Sequence, residues 1–136
     1  MKTPELLAAR FREEGRRVTP QRECVFRHLW GDTSHPTVEA LHERVLSEMS
    51  TVSLKTVYQT VHDLADMGEV SLIDLGTGTQ RVEPNVEESH HHLVCIRCGM
   101  IRDVPATEPQ VAARHRRGFS VGSVEVNYRG VCERCA

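Results

Sequence analysis

No stretch of this 136-residue chain approaches the ~20 apolar residues that cross a bilayer, and Met1-Lys2-Thr3-Pro4-Glu5 is followed by no signal-peptide core. That pattern excludes a membrane-spanning helix and leads to the expectation of a soluble, cytoplasmic protein with no membrane partner. Excess positive charge is missing too. Seventeen Lys and Arg stand against nineteen Asp and Glu, a formal net charge of −2. A whole-chain electrostatic case for nucleic acid therefore fails, and any basic face must be local. Repeats and low-complexity tracts are absent. So is a Gly-rich phosphate loop, since Gly76-Thr77-Gly78 reads only as a hairpin turn. With 39% apolar and 26% charged residues, the chain is globular: one compact domain, or two small ones that depend on each other or on a partner chain.

The two halves differ in pattern. The first reads as four short helices. Glu5 to Glu14, with Leu6, Leu7, Ala8 and Phe11 apolar, ends at Gly15. Thr19 caps a second helix opened by Pro20, with Val25, Phe26 and Leu29 as its apolar stripe. Thr37 caps a third, with Val38, Leu41, Val45 and Leu46 inward, and Ser53 caps a fourth that buries Val57, Val61 and Leu64 before Gly68. The fourth exposes Leu54, Lys55, Thr56, Tyr58 and Gln59. From Glu69 to Glu83 the period changes to alternation around Gly76 to Thr79, a hairpin. Helices followed by a hairpin predict a winged helix-turn-helix over residues 1–83. Residues 84–88 read as an acidic hinge. Residues 89–136 are strand-rich (His92–Cys95, Met100–Val104, Val121–Tyr128), with one helix expected from Glu108 to Arg117. About fifty residues bury little core alone, so a metal or dimerisation must help. The fold class is α+β.

Five cysteines without a secretion signal point to metal before disulfides. Cys95-x-x-Cys98 and Cys132-x-x-Cys135 make two turns with 33 residues between them, enough for a closed four-thiolate zinc site of structural type. Cys24, among apolar neighbours in the second helix, reads as a small buried residue and not a ligand. His90-His91-His92 leads into the strand that ends at Cys95. Alternation puts His90 and His92 on one face and His91 on the other, leaving the outer pair free for a second, nitrogen- and oxygen-rich site. His35, Glu83 and Asp103 are candidates to complete it, though each reads equally well as a solvated loop or strand residue. Such a donor set suits Fe(II), Mn(II) or Zn(II).

These motifs, namely Gly15 to Arg22, Ser53 to Thr60, His90 to Gly99 and the Cys132/Cys135 pair, resemble the ferric uptake regulator family over nearly the whole length. The resemblance implies an N-terminal winged helix, a C-terminal α/β dimerisation domain and a structural zinc on Cys95, Cys98, Cys132 and Cys135. It also implies a regulatory Fe(II) or Mn(II) site on His35, Glu83, His90, His92 and Asp103. The implied function is that of a homodimeric repressor of transcription whose Tyr58-bearing helix enters the major groove of AT-rich, inverted-repeat double-stranded DNA. The residues agree: positions 1–27 carry seven Lys and Arg against four acidic residues. Arg10, Arg16, Arg17, Arg22 and Lys55 suit phosphate or groove contacts. Thr56 lies on the same exposed turn, and Tyr58 and Gln59 suit base edges, Gln toward adenine and Tyr toward a thymine methyl.

Two departures stand out. Gln59 replaces the family's commoner Arg. An additional metal site of some members needs a Glu where Gln110 falls and a later His that the Val121–Tyr128 stretch does not carry, so His91 is not expected to serve one. Asp103 is similar to the family's peroxide sensors, whereas Glu83 is not, since those typically carry Asp there. Fe(II) or Mn(II) sensing is therefore placed first, peroxide sensing through iron-catalysed oxidation of a ligand His second, and zinc-uptake regulation third. A metal-dependent hydrolase is the competing class. It lacks a nucleophile or base motif and an open metal position, so neither an enzyme nor a small-molecule substrate is expected.

Overall fold

The computed structural model describes residues 1–107 and 109–136. The chain divides into two compact units, Met1–Glu88 and Ser89–Ala136.

The first unit holds helices α1 (Pro4–Glu13), α2 (Pro20–Leu29), α3 (Val38–Glu48) and α4 (Leu54–Asp66), then strands β1 (Ser71–Ile73) and β2 (Arg81–Glu83). Each helix begins at a hydroxyl residue in extended conformation, Thr3, Thr19, Thr37 and Ser53, whose side chain accepts a bond from a backbone N–H of the first turn. That satisfies one of the donors a helix start leaves unpaired. Pro4 and Pro20 open the first two, where a missing N–H costs nothing. Gly68 ends α4 at φ +70°, a left-handed turn that lets the Glu69 N–H reach back to the Leu64 carbonyl at 2.9 Å.

The core is a continuous cluster built from Leu7 and Phe11, Val25, Phe26 and Leu29, Leu41 and Val45, and Val57, Val61 and Leu64, all fully buried. Phe11 and Phe26 meet edge to face with ring centroids 4.9 Å apart. Burying each such side chain contributes roughly 1.5–3 kcal/mol. Two apolar positions depart from expectation. Leu46 is exposed, because Val45 and Leu41 already fill the core side of α3, and Leu6 is exposed beside buried Leu7. β1 and β2 pair antiparallel with Leu72 opposite Val82, giving the hairpin expected between Glu69 and Glu83. Four helices and this hairpin form the winged helix-turn-helix.

One buried carboxylate organises the edge of this unit. Glu69 accepts from the Lys2 backbone N–H at 2.9 Å, from Lys2 Nζ at 2.7 Å and from Arg10. Arg10, expected from the sequence as a phosphate or groove contact, is here ion-paired with this carboxylate.

The second unit is a three-stranded sheet in the order β4-β3-β5, with β3 (His90–Cys95), β4 (Ile101–Pro105) and β5 (Asn127–Gly130). β3 pairs antiparallel with β4 and parallel with β5. The helix expected from Glu108 to Arg117 does not form. Glu108 lies outside the described residues, and the rest holds a single 3₁₀ turn, Ala113–His115. Likewise the strand expected over Val121–Tyr128 is confined to Asn127–Gly130. The described positions from 109 to 125 are all exposed. An amphipathic segment with no apolar surface to lie against gains too little to fix its backbone. Among the described residues no helix is long and apolar enough to cross a membrane.

Candidate metal centres and nucleic-acid surface

Cys95 closes β3, and the chain turns through Gly99 (φ +70°) into β4, with Gly99 N–H donating to Cys95 O at 2.9 Å. The Ile96 N–H donates to Gly130 O at 2.8 Å, and β5 thereby delivers the second Cys-x-x-Cys turn beside the first. The Cys132 N–H donates to Cys95 Sγ at 3.4 Å, and Cys98 and Cys132 sulfurs stand 3.6 Å apart. All four sulfurs lie within 4.8 Å of one another. Backbone N–H groups of Cys98 and Cys132 pull the Cys95 thiol down to about 6. Hydrogen bonding to the Cys132 and Cys98 sulfurs pushes Cys135 up to about 12. Four sulfurs this close cannot all ionise without a cation among them. Four thiolates and no open position fit a tetrahedral structural zinc.

The regulatory metal candidates expected from the sequence fall into two groups, one in each unit. In the first, His35 sits in the loop before α3 at φ +50°, the one non-glycine residue with positive φ among those described. Pro36 follows it, and its carbonyl accepts from the Val82 N–H at 2.8 Å, while Arg81 Nη1 donates to His35 O at 3.1 Å. The loop is thus sewn to β2, which brings His35 Nε2 to 2.5 Å from Glu83 Oε2, with both side chains buried. A strained backbone held by this many bonds is characteristic of functional positions.

In the second unit, His90 and His92 share a face of β3 as alternation requires, their rings 4.8 Å apart. Asp103, opposite His92 on β4, places Oδ1 3.9 Å from His90 Nε2 and 3.8 Å from His92 Nε2. His91 points the other way and is buried. Its Nε2 bonds to Thr107 O at 2.8 Å, and its Nδ1 meets no partner among the described residues.

The surface of α4 carries the expected nucleic-acid residues. Lys55, Tyr58 and Gln59 are exposed and Thr56 is half-buried, its hydroxyl 2.9 Å from that of Ser53. Tyr58 lies 6.4 Å from a stacked His62 ring and donates its hydroxyl to Glu39. The arginines divide. Arg17 is exposed, whereas Arg16 and Arg22 are half-buried and both pair with Asp63 of α4. Arg22 also donates to Arg17 O at 3.1 Å and lies over the Phe11 ring. Glu39, Asp63 and Glu69 went unnoticed in the sequence, because each meets partners at least 19 residues away.

The pattern described as the ferric uptake regulator family matches residues 13–129. The chain belongs to that family. Ferric uptake regulators are transcription regulators rather than enzymes, and this one is metal-responsive in type. It is 30% identical over 130 residues to the peroxide-responsive repressor PerR of Staphylococcus epidermidis, covering 93% of this chain and 86% of that one. Among solved structures it superposes on a zinc-bound manganese uptake regulator with a TM-score of 0.75 at 32% identity, covering 96% and 99% of the two chains. It also superposes on the Campylobacter jejuni peroxide stress regulator, with a TM-score of 0.67 at 26% identity over 99% and 100%. The ferric uptake regulator fold expected from the sequence is therefore the fold observed.

Proposed function

We propose that the protein is a homodimeric, metal-dependent repressor that binds AT-rich inverted repeats when Fe(II) or Mn(II) is available. The observation that carries this reading is the pair of mixed imidazole–carboxylate groups: His35 with Glu83 in the winged-helix unit, and His90, His92 and Asp103 in the sheet unit. Their nitrogen and oxygen donors suit Fe(II) and Mn(II), in contrast to the all-sulfur set that suits zinc. A bound ion supplies the positive charge that lets the clustered carboxylates and neutral imidazoles act together. These donors make DNA binding respond to metal supply, His35 and Glu83 belonging to the DNA-binding unit itself.

Lys55, Thr56, Tyr58 and Gln59 read the major groove, and Arg17, with Arg16 and Arg22, meets the backbone. A second copy of the chain supports both tasks. Phe119, Ile96, Val121 and Tyr128 are exposed in one chain, apolar side chains that a second copy would cover. Two winged helices then meet half-sites about one helical turn apart, or a multiple of that.

Peroxide sensing at the same residues is the second reading. Asp103 and the 30% identity to a peroxide-responsive repressor favour it, as the 32% identity to a manganese uptake regulator favours the first. Fluorescence anisotropy on an AT-rich inverted repeat separates them, titrating Mn(II) and, anaerobically, Fe(II), then adding peroxide. Binding with either metal that survives peroxide supports metal sensing. Loss of binding in the iron form alone supports peroxide sensing. Absence of any metal response overturns both.

A further inference from the structure

α2 presents Cys24 and His28 one turn apart, and positions four apart lie on the same helix face. Facing them is Glu48, the last residue of α3. The Cys24 sulfur, a ring nitrogen of His28 and a carboxylate oxygen of Glu48 all lie within 4.8 Å of one another, with His28 Nε2 3.1 Å from Glu48 Oε2. Nothing in the regulatory or four-cysteine groups involves these residues. We propose that they form a third metal site, lying within the winged-helix unit, that takes a thiophilic divalent ion such as zinc.

Four features support a built site. The donors are chemically mixed, one thiol, one imidazole and one carboxylate, the set of three protein ligands that leaves zinc a fourth, open position. One donor pair stands at 3.1 Å and none exceeds 4.8 Å, so small side-chain rotations bring the set to the about 3.5 Å between donors of a tetrahedral zinc. Arg27, on the turn between Cys24 and His28, bonds Glu48 through Oε1 and leaves Oε2 toward His28. That arrangement orients a one-oxygen ligand from behind, as carboxylate ligands are commonly held. Cys24 is buried while His28 is half-buried and Glu48 exposed, so the sulfur forms the floor of a cluster that opens to solvent. An ion there ties α2 to α3 inside the unit that carries α4.

Cobalt titration of the full chain, its four-cysteine site filled with zinc, provides the test. The proposed regulatory donors contain no sulfur, so a sulfur-to-cobalt charge-transfer band with zinc retained reports Cys24 alone. The band is expected in the parent protein and absent from Cys24→Ala. His28→Ala and Glu48→Gln, whose side chains reach solvent, should bind cobalt at least about 10- to 100-fold more weakly, since loss of an outer-shell partner alone costs that much. Equilibrium dialysis against zinc should give one equivalent more for the parent than for His28→Ala. No charge-transfer band in the folded parent, or a band and stoichiometry unchanged by His28→Ala, overturns the proposal.

Discussion

The Tyr58 hydroxyl donates to Glu39 Oε1 at 2.5 Å, joining the exposed face of α4 to the first turn of α3. The bond holds the Glu39 carboxyl below its ordinary range and pushes the Tyr58 phenol up. It also fixes the ring that the proposed function aims at a base edge. Glu39→Ala should therefore weaken binding to the preferred operator more than to random DNA, narrowing the ratio by about 3- to 10-fold, as loss of about 1 kcal/mol of positioning would. Anisotropy on both DNAs measures this; an unchanged ratio, with binding to both DNAs strengthened by removal of the negative charge, would refute the positioning role.

Arg17 and Arg22 should behave differently although both lie in the same basic arm. Arg17→Ala should weaken binding to every DNA alike and lower the salt slope by about 1, leaving the melting temperature unchanged. Arg22 bonds Asp63 at 2.8 Å and covers Phe11, so Arg22→Ala should also destabilise the fold by about 1–2 kcal/mol. Thermal melts beside salt-dependent anisotropy separate the two.

Glu69 sets an acid limb of stability. Burial works to raise its pKa, but hydrogen bonds from Lys2 and Arg10 outweigh burial and hold it below the ordinary value. A carboxylate depressed on folding stabilises fully above its unfolded pKa, about 4.3, and that contribution disappears as pH falls through the lower folded value. Glu69→Gln should cost about 1–3 kcal/mol near neutrality and show a flatter decline below about pH 4.3. Denaturation midpoints across pH provide the measurement, and parallel curves for the two proteins would refute the assignment.

Cys98→Ser should release the structural zinc and unfold Ser89–Ala136 while Met1–Glu88 remains cooperative. Hydrogen exchange resolved by unit is the appropriate readout. A variant that loses zinc yet protects β3 as before would show that the sheet does not depend on the ion.

His92→Ala and His35→Ala should each abolish metal-dependent DNA binding and leave zinc content intact. Only His35→Ala should perturb the first unit, because its ring bonds Glu83 and Thr33 O. A normal metal response in either variant would remove that residue from the ligand set.

Local chemistry made much of this legible in the sequence. Thr19, Thr37 and Ser53 announce helix starts, Gly68 a helix end, and the two Cys-x-x-Cys turns the meeting of β3 with the chain beyond β5. Parity alone separated His91 from His90 and His92. What could not be read were partnerships across long sequence separations, such as Glu69 with Lys2 or Asp63 with Arg16 and Arg22, where no spacing rule applies. The segment after Pro105 misled for a different reason. Its helical pattern is real, but Val111 and its neighbours find no core in the chain itself, so propensity had nothing to act on.

The central place of β3 in its sheet makes the two flanking strands unequal. β4 follows after a five-residue turn and can zip up as a local hairpin, whereas 21 residues (106–126) separate β5 from the end of β4, a slower and entropically costlier closure. Until that closure, one side of β3 presents a row of unpaired backbone groups beside apolar Leu93 and Val94, a template for pairing with any other extended chain. Starving cells of zinc would then do more than disable a regulator: it would prolong the life of a sticky half-assembled sheet, and newly made protein would be diverted to proteolysis or clumping.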